Sequence, residues 1–291
     1  MTFQNTYKLI FITGMIWLLP LNGFATAMTN IHVSIPPLKY FVERIGKNHV
    51  SVDVLLKPGK NPATYSPSPD QMKKLASSDI FFKIGIPFEN SIQQKIKSMV
   101  NALIIDTRKG IKLRHLRAHS HGKDNIDHMG KDPHIWMNPV NVKTIASTIF
   151  STLSSFDPKN HIDYKTNYDL FIKDLDTLDR RLKKILKVVY GKTLFVFHPS
   201  FGYFTDAYGL KQVAIETMGK APKGKALSNI IKQAKKQKAR MIFVQPQFDR
   251  NAALKIASAI KGDVVALNPL AFDYPVNMEK MAVTIVMTLK K

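Results

Sequence analysis

Residues 164–185 read YKTNYDLFIKDLDTLDRRLKKI. Tyr164, Tyr168, Phe171, Leu175, Leu178, Leu182 and Ile185 recur at alternating spacings of four and three, the period that lays apolar side chains along one face of a helix. Lys173, Asp174, Asp179 and Arg180 fill the other faces. Asp157-Pro158 supplies a start signal and Gly191 a stop. A coiled-coil seam shares this period, but a stripe of roughly three heptads without a clear exposed seam predicts a helix packed along its own chain. The long helix matters for the fold because it separates two stretches of a different pattern.

On its N-terminal side, short β-branched runs at Ile31–Ser34, Val50–Leu56, Ile80–Ile84 and Ala102–Asp106 alternate with helical patterns near Pro37–Ile45, Pro69–Ala76 and Ser91–Lys97. On its C-terminal side, strands are expected at Thr193–Phe197, Gln212–Ile215, Met241–Gln245 and Val264–Leu267, with helices between them. Such alternation predicts parallel β/α units, hence an α/β protein of two similar halves. The expected division is a leader over 1–27, an N-terminal lobe over 28–157, the linking helix over 158–190 and a C-terminal lobe over 191–291.

The leader rests on Lys8, the apolar run Leu9–Leu21 and the small-residue site Ala25-Thr26-Ala27, which read as a secretory signal cleaved after Ala27. Thr13, Gly14 and Pro20 interrupt the run, and it falls short of the roughly 20 apolar residues a spanning helix needs. An uncleaved N-terminal anchor is the competing reading. Cysteine is absent, so the sequence predicts neither disulfides nor a lipid on cysteine, and any metal site must use His, carboxylate, amide or water. A free periplasmic protein, monomeric, is the expectation.

Lys and Arg number 43 against 21 Asp and Glu, a formal charge of +22. The basic residues do not interleave with aromatic ones as base-stacking surfaces do, which argues against nucleic acid. Lys220, Lys223, Lys225, Lys232, Lys235, Lys236, Lys238 and Arg240 gather around one predicted helix and read as a solvated face.

The residues able to do chemistry lie in loops and at strand ends. His134 stands in Asp132-Pro133-His134-Ile135-Trp136, and His198 follows a strand in Phe197-His198-Pro199-Ser200. Parallel α/β sheets bind ligands at the carboxyl ends of their strands, where His198 falls. Either histidine alone could be a satisfied structural residue; paired across a cleft they would ligate a metal. His115, His119, His121, His128 and His134 make five of the nine histidines, on a polar loop that reads either as a weak metal-collecting segment or as a chance of composition. Imidazoles suit zinc, copper or nickel better than magnesium or calcium. A metallohydrolase would want a carboxylate base beside the metal, and neither histidine motif has an adjacent glutamate, so no enzyme is expected.

The order of motifs resembles the zinc and manganese class of ABC-transporter solute-binding proteins. It is carried by Pro58-Gly59-Lys60-Asn61-Pro62-Ala63-Thr64-Tyr65-Ser66-Pro67-Ser68-Pro69, Asp132-Pro133-His134-Ile135-Trp136 and Phe197-His198-Pro199-Ser200-Phe201-Gly202-Tyr203-Phe204. Val244-Gln245-Pro246-Gln247-Phe248 and Leu267-Asn268-Pro269-Leu270-Ala271 continue it. The resemblance implies two lobes joined by a rigid long helix, a divalent metal in the cleft between them, and delivery to a permease in the inner membrane. It aligns His134 and His198 with two of four ligand positions, and a histidine at 198 points to zinc ahead of manganese. Where the family has a further histidine this chain has Ala63, where it has aspartate this chain has Asn268, and Gln245 replaces a common glutamate. His134, His198 and Asn268 with a water are the expected ligands. Tyr65, Gln245, His119, His121 or His128 are alternatives, as is zinc arriving with an anionic chelator. The second functional expectation is a member that has lost metal transport and acts as a binding or adhesion module.

Overall fold

The computed structural model describes residues 28–99, 101–116, 130–216 and 222–290. The first lobe runs β1 (Thr29–Val33), α1 (Pro36–Gly46), β2 (Val50–Val54), α2 (Pro69–Ala76), β3 (Ile80–Lys83), α3 (Pro87–Met99) and β4 (Leu103–Asp106). The chain continues through α4 (Pro139–Phe156) and α5 (His161–Leu186). The second lobe runs β5 (Thr193–Val196), α6 (Gly202–Tyr208), β6 (Lys211–Ala214), α7 (Gly224–Lys236), β7 (Met241–Val244), α8 (Arg250–Ala259), β8 (Asp263–Ala266) and α9 (Tyr274–Leu289). The two sheets are parallel throughout and share one plan, β2-β1-β3-β4 and β6-β5-β7-β8. Each order reverses between its first and third strands, which opens a crevice at the carboxyl ends there.

Local chemistry marks the element starts. Ser68 and Gln71 form a reciprocal capping box at α2, with Pro69 in the first turn. Asn138 caps α4 by accepting the Val140 N–H at 2.9 Å. Gly209, at φ 68°, closes α6 in the left-handed conformation that glycine adopts without steric cost.

The predicted stripe is the buried face of α5: Tyr164, Phe171, Leu175, Leu178 and Leu182 are buried, joined by Leu186, while Tyr168 and Ile185 are partly covered. Each fully buried side chain of this kind contributes about 1.5–3 kcal/mol before entropy is counted. The helix has company that the sequence reading did not give it. It packs against α1, α4 and α9. At the turn from α4 into α5, the Asp157 carboxylate accepts from Tyr164 Oη at 2.8 Å and Asn160 Nδ2 at 2.6 Å.

One continuous core includes the first sheet, α1, α4, α5 and α9 and crosses into the second lobe through Leu194, Val196, Phe201 and Phe204. Phe195, Phe197, Ile242 and Val244 belong to a smaller core on the opposite face of the second sheet, as the two-residue period of a strand requires. No helix among the described residues is long and apolar enough to cross a membrane.

Candidate metal centre

His134 is fixed from both sides by Asp132. The carboxylate Oδ1 accepts the His134 backbone N–H at 3.0 Å and its Nδ1–H at 2.7 Å, while Oδ2 lies 3.3 Å from the Arg114 guanidinium. The loop is stapled by the second lobe. Tyr203 donates its hydroxyl to the Asp132 carbonyl at 3.1 Å and accepts the Arg114 N–H at 3.0 Å. A Cβ at Gly202 would overlap the Arg114 guanidinium, so the missing side chain leaves room for the Arg114–Asp132 contact. Trp136, 1% exposed, donates its indole N–H to the Pro269 carbonyl at 2.8 Å, and Tyr274 donates to the Trp136 carbonyl at 2.8 Å.

His198 is placed by strand register. Val196 pairs with Ala214 on one side and Phe243 on the other, so His198 lies level with Glu216 and Gln245, two residues beyond each. The His198 Nδ1–H donates to Glu216 Oε1 at 2.6 Å. Gln245 Oε1 accepts the His198 backbone N–H at 3.2 Å, and its Nε2 donates to the His198 carbonyl at 2.7 Å and to Ser200 Oγ at 2.8 Å. The His198 ring stacks on Phe248, centroids 4.6 Å apart. Burial is the main force holding the His198 pKa below the ordinary imidazole value, and the bond to Glu216 offsets it only in part.

Both rings therefore spend Nδ1 on a carboxylate, which leaves each Nε2 lone pair as the free donor. Their centroids lie 5.3 Å apart, edge to face, in the wall of a cavity of about 370 Å³ lined from both lobes. Two such imidazoles, each backed by a buried carboxylate, form half of a tetrahedral site for a borderline metal such as zinc.

The other predicted donors do not join this pair. Asn268 lies outside the cavity lining, and its Oδ1 accepts the Leu270 N–H at 3.1 Å and Gln247 Nε2 at 3.0 Å. Gln245 lines the cavity but turns its amide to the His198 backbone and Ser200. Tyr65 donates toward the Leu55 carbonyl and Gln71 Oε1, each at 2.7 Å, away from the lining. Ala63 does line the cavity, presenting a methyl where the family resemblance implies an imidazole. Among the described residues no group of three or more His, Asp or Glu is placed to hold a metal. His119, His121 and His128 lie outside the described residues, although Leu116 and Gly130, at the two ends of their segment, line the cavity. Glu216 was missed by sequence reasoning; its signal is register, visible only once β5 and β6 are known to be neighbours.

The profile of the family described as "Zinc-uptake complex component A periplasmic" matches residues 31–288. Similar curated proteins include the high-affinity zinc uptake system protein ZnuA of Bacillus subtilis, 27% identical over 242 residues, covering 80% of this chain and 76% of that one. ZnuA of Yersinia pestis is 27% identical over 278 residues, covering 87% and 86%. Among solved structures, a crystal structure of ZnuA superposes with a TM-score of 0.83 at 35% identity, covering 90% of this chain and 99% of that one. The laminin binding protein of Streptococcus agalactiae, described as bifunctional with adhesin and metal transporting activity, shares the fold at 20% identity and TM-score 0.80 over 90% of this chain and all of that one.

Proposed function

The chain belongs to the family of periplasmic zinc-uptake component A, and from that premise we propose that it captures zinc through the Nε2 atoms of His134 and His198 and hands it to an inner-membrane ABC permease. Zinc uptake is its function, and zinc is the cargo. The observation that carries the ligand assignment is the facing pair of imidazoles, each with Nδ1 bound to a carboxylate. The further parts of the reading are a leader over 1–27, lobes over 28–157 and 191–291 joined by 158–190, monomeric action and the absence of catalysis. The core shared between the lobes supports capture by local ordering at the cavity rather than by wide closure. Titration of metal-stripped protein against a competing chelator is expected to give one high-affinity zinc per chain. Failure to bind zinc, with the fold intact, would favour the adhesion reading.

Glu216 acts on zinc through His198. Glu216→Gln keeps the shape but removes the charge that orients the ring and raises its basicity, and zinc affinity is expected to fall about 10- to 100-fold. A variant within twofold of the parent in the same titration would remove Glu216 from the site.

Acid opposes binding, because zinc takes the neutral imidazole. The pKa of His198 is lowered in the folded chain, so as pH falls the unfolded chain takes up the proton first. The stability that neutral His198 contributes is therefore complete above about pH 6.5 and is lost as pH falls from there through its lowered folded value. Thermal melts of the metal-free protein between pH 7.5 and 5 should show a decline that His198→Gln reduces. Zinc affinity should fall once the pH drops through the lowered folded value, and an affinity that never declines with acid while the fold persists would reject histidine ligation.

A further inference from the structure

The donor set and the cavity do not match a bare ion. Two imidazoles fill two of the four positions zinc usually takes, and no third His, Asp or Glu among the described residues joins them. The cavity of about 370 Å³ has room on the order of ten waters at about 30 Å³ each, several times what two open coordination positions need.

The charge that the described residues bring to it is also unsuited to an unaccompanied dication. Among the described residues, Arg108 and Lys131 line the cavity and no Asp or Glu does. Asp106 grips Arg108 through Nε at 2.9 Å and Nη2 at 2.6 Å, leaving Nη1 to cross Gly85 at the wall. The space Nη1 occupies is the space a Cβ on residue 85 would claim. Exposed Lys131 donates to His115 Nε2 at 2.7 Å rather than to a carboxylate. A guanidinium edge and an ammonium, carried by two residues of the cavity lining, are groups that pair with a carboxylate.

We infer that zinc is bound as its complex with a small polydentate anionic chelator, of the α-amino-acid or hydroxycarboxylate class. The chelator's donors complete the coordination sphere, and its outer carboxylate meets Arg108 and Lys131. This rests on zinc capture by His134 and His198 as proposed above. Binding exchanges two zinc-bound waters for two neutral imidazole nitrogens, with no proton or electron transferred and no bond of the chelator broken.

The test is titration of metal-stripped protein at matched free-zinc activity, with zinc alone, with zinc and citrate, and with zinc and L-histidine, the complexes being weighed by native mass spectrometry. The expected result is a 1:1:1 protein–zinc–chelator complex with at least one chelator, and a zinc affinity at least tenfold above that for zinc alone. That gain should drop to near one in Arg108→Gln and in Lys131→Gln. Lys131 is exposed, so its variant carries the test even if loss of the Arg108–Asp106 pair compromises folding. A binary protein–zinc complex of equal affinity in all three arms overturns the inference and leaves zinc capture standing. A gain that survives in Lys131→Gln and in any folded Arg108→Gln also overturns it, because the carboxylate is then not held at this wall. No zinc binding in any arm overturns zinc capture itself, and the inference with it.

Discussion

Replacing His134 and His198 together is expected to lower zinc affinity by about a thousandfold or more, roughly 4 kcal/mol or above at 1.4 kcal/mol per decade. The two rings are the only imidazoles among the described residues lining the cavity. Without them the side-chain lone pairs that the described lining residues offer come from amides and the Ser200 hydroxyl, beside the cations Arg108 and Lys131, and oxygen donors without charge suit harder cations better than zinc. Glutamine is the better replacement than alanine. His198→Ala would leave the Glu216 carboxylate, 4% exposed as a residue and with Oε2 already unpartnered, without its remaining side-chain bond. An uncompensated buried charge costs about 3–5 kcal/mol, enough to confuse loss of metal with loss of fold. His134→Gln/His198→Gln keeps an amide beside each carboxylate. Its melting temperature without metal should stay near the parent's while competition with a chelator shows the collapse in affinity. Retention of zinc within tenfold of the parent would place the ion elsewhere.

The parts of this site that were legible in the sequence are those encoded locally. The central strands β1, β3, β5 and β7 are short apolar runs, largely buried because parallel sheets are covered on both faces, while the edge strands β4 and β8 are partly exposed, and α5 carries its period in its own residues. His134 and His198 stand in compact motifs at loop and strand end. What escaped was set by long-range geometry. Glu216 and Gln245 reach His198 because β6 and β7 flank β5, a relation spanning 18 and 47 residues. Asn268 could be read as a donor from its type, but its oxygen is taken by Leu270 and Gln247. Helix α4 was hidden by composition: VNVKTIASTIFSTLSSF is rich in β-branched and Ser residues, which have low intrinsic helix propensity. Burial of Val142, Ile145, Ala146, Ile149 and Leu153 against α1 and α5 overrides that preference. Helix α9 exposes Val276, Val283 and Met287 opposite its buried face and so lacks a clear polar stripe.

Trp136→Ala is expected to cost about 3–5 kcal/mol of stability, the range for truncating a buried aromatic side chain. At roughly 2–4 °C per kcal/mol for a chain of this size, the melting temperature should fall by about 10 °C. The side chain is 1% exposed, its N–H satisfies the Pro269 carbonyl, and its backbone carbonyl receives Tyr274, so it joins the His134 loop to the second lobe at two points. Trp136→Phe separates the contributions: most of the apolar contact survives while the Pro269 carbonyl loses its donor, at about 1–3 kcal/mol. Zinc should respond as well, since the His134 ring lies 5.3 Å from Trp136 and takes its orientation from the same turn. If Trp136→Ala melts within 1 °C of the parent, the seam between the lobes is not held here. If it melts far lower and binds zinc more weakly, rigidity of the seam and readiness of the metal site are one property, which is what capture without wide closure requires.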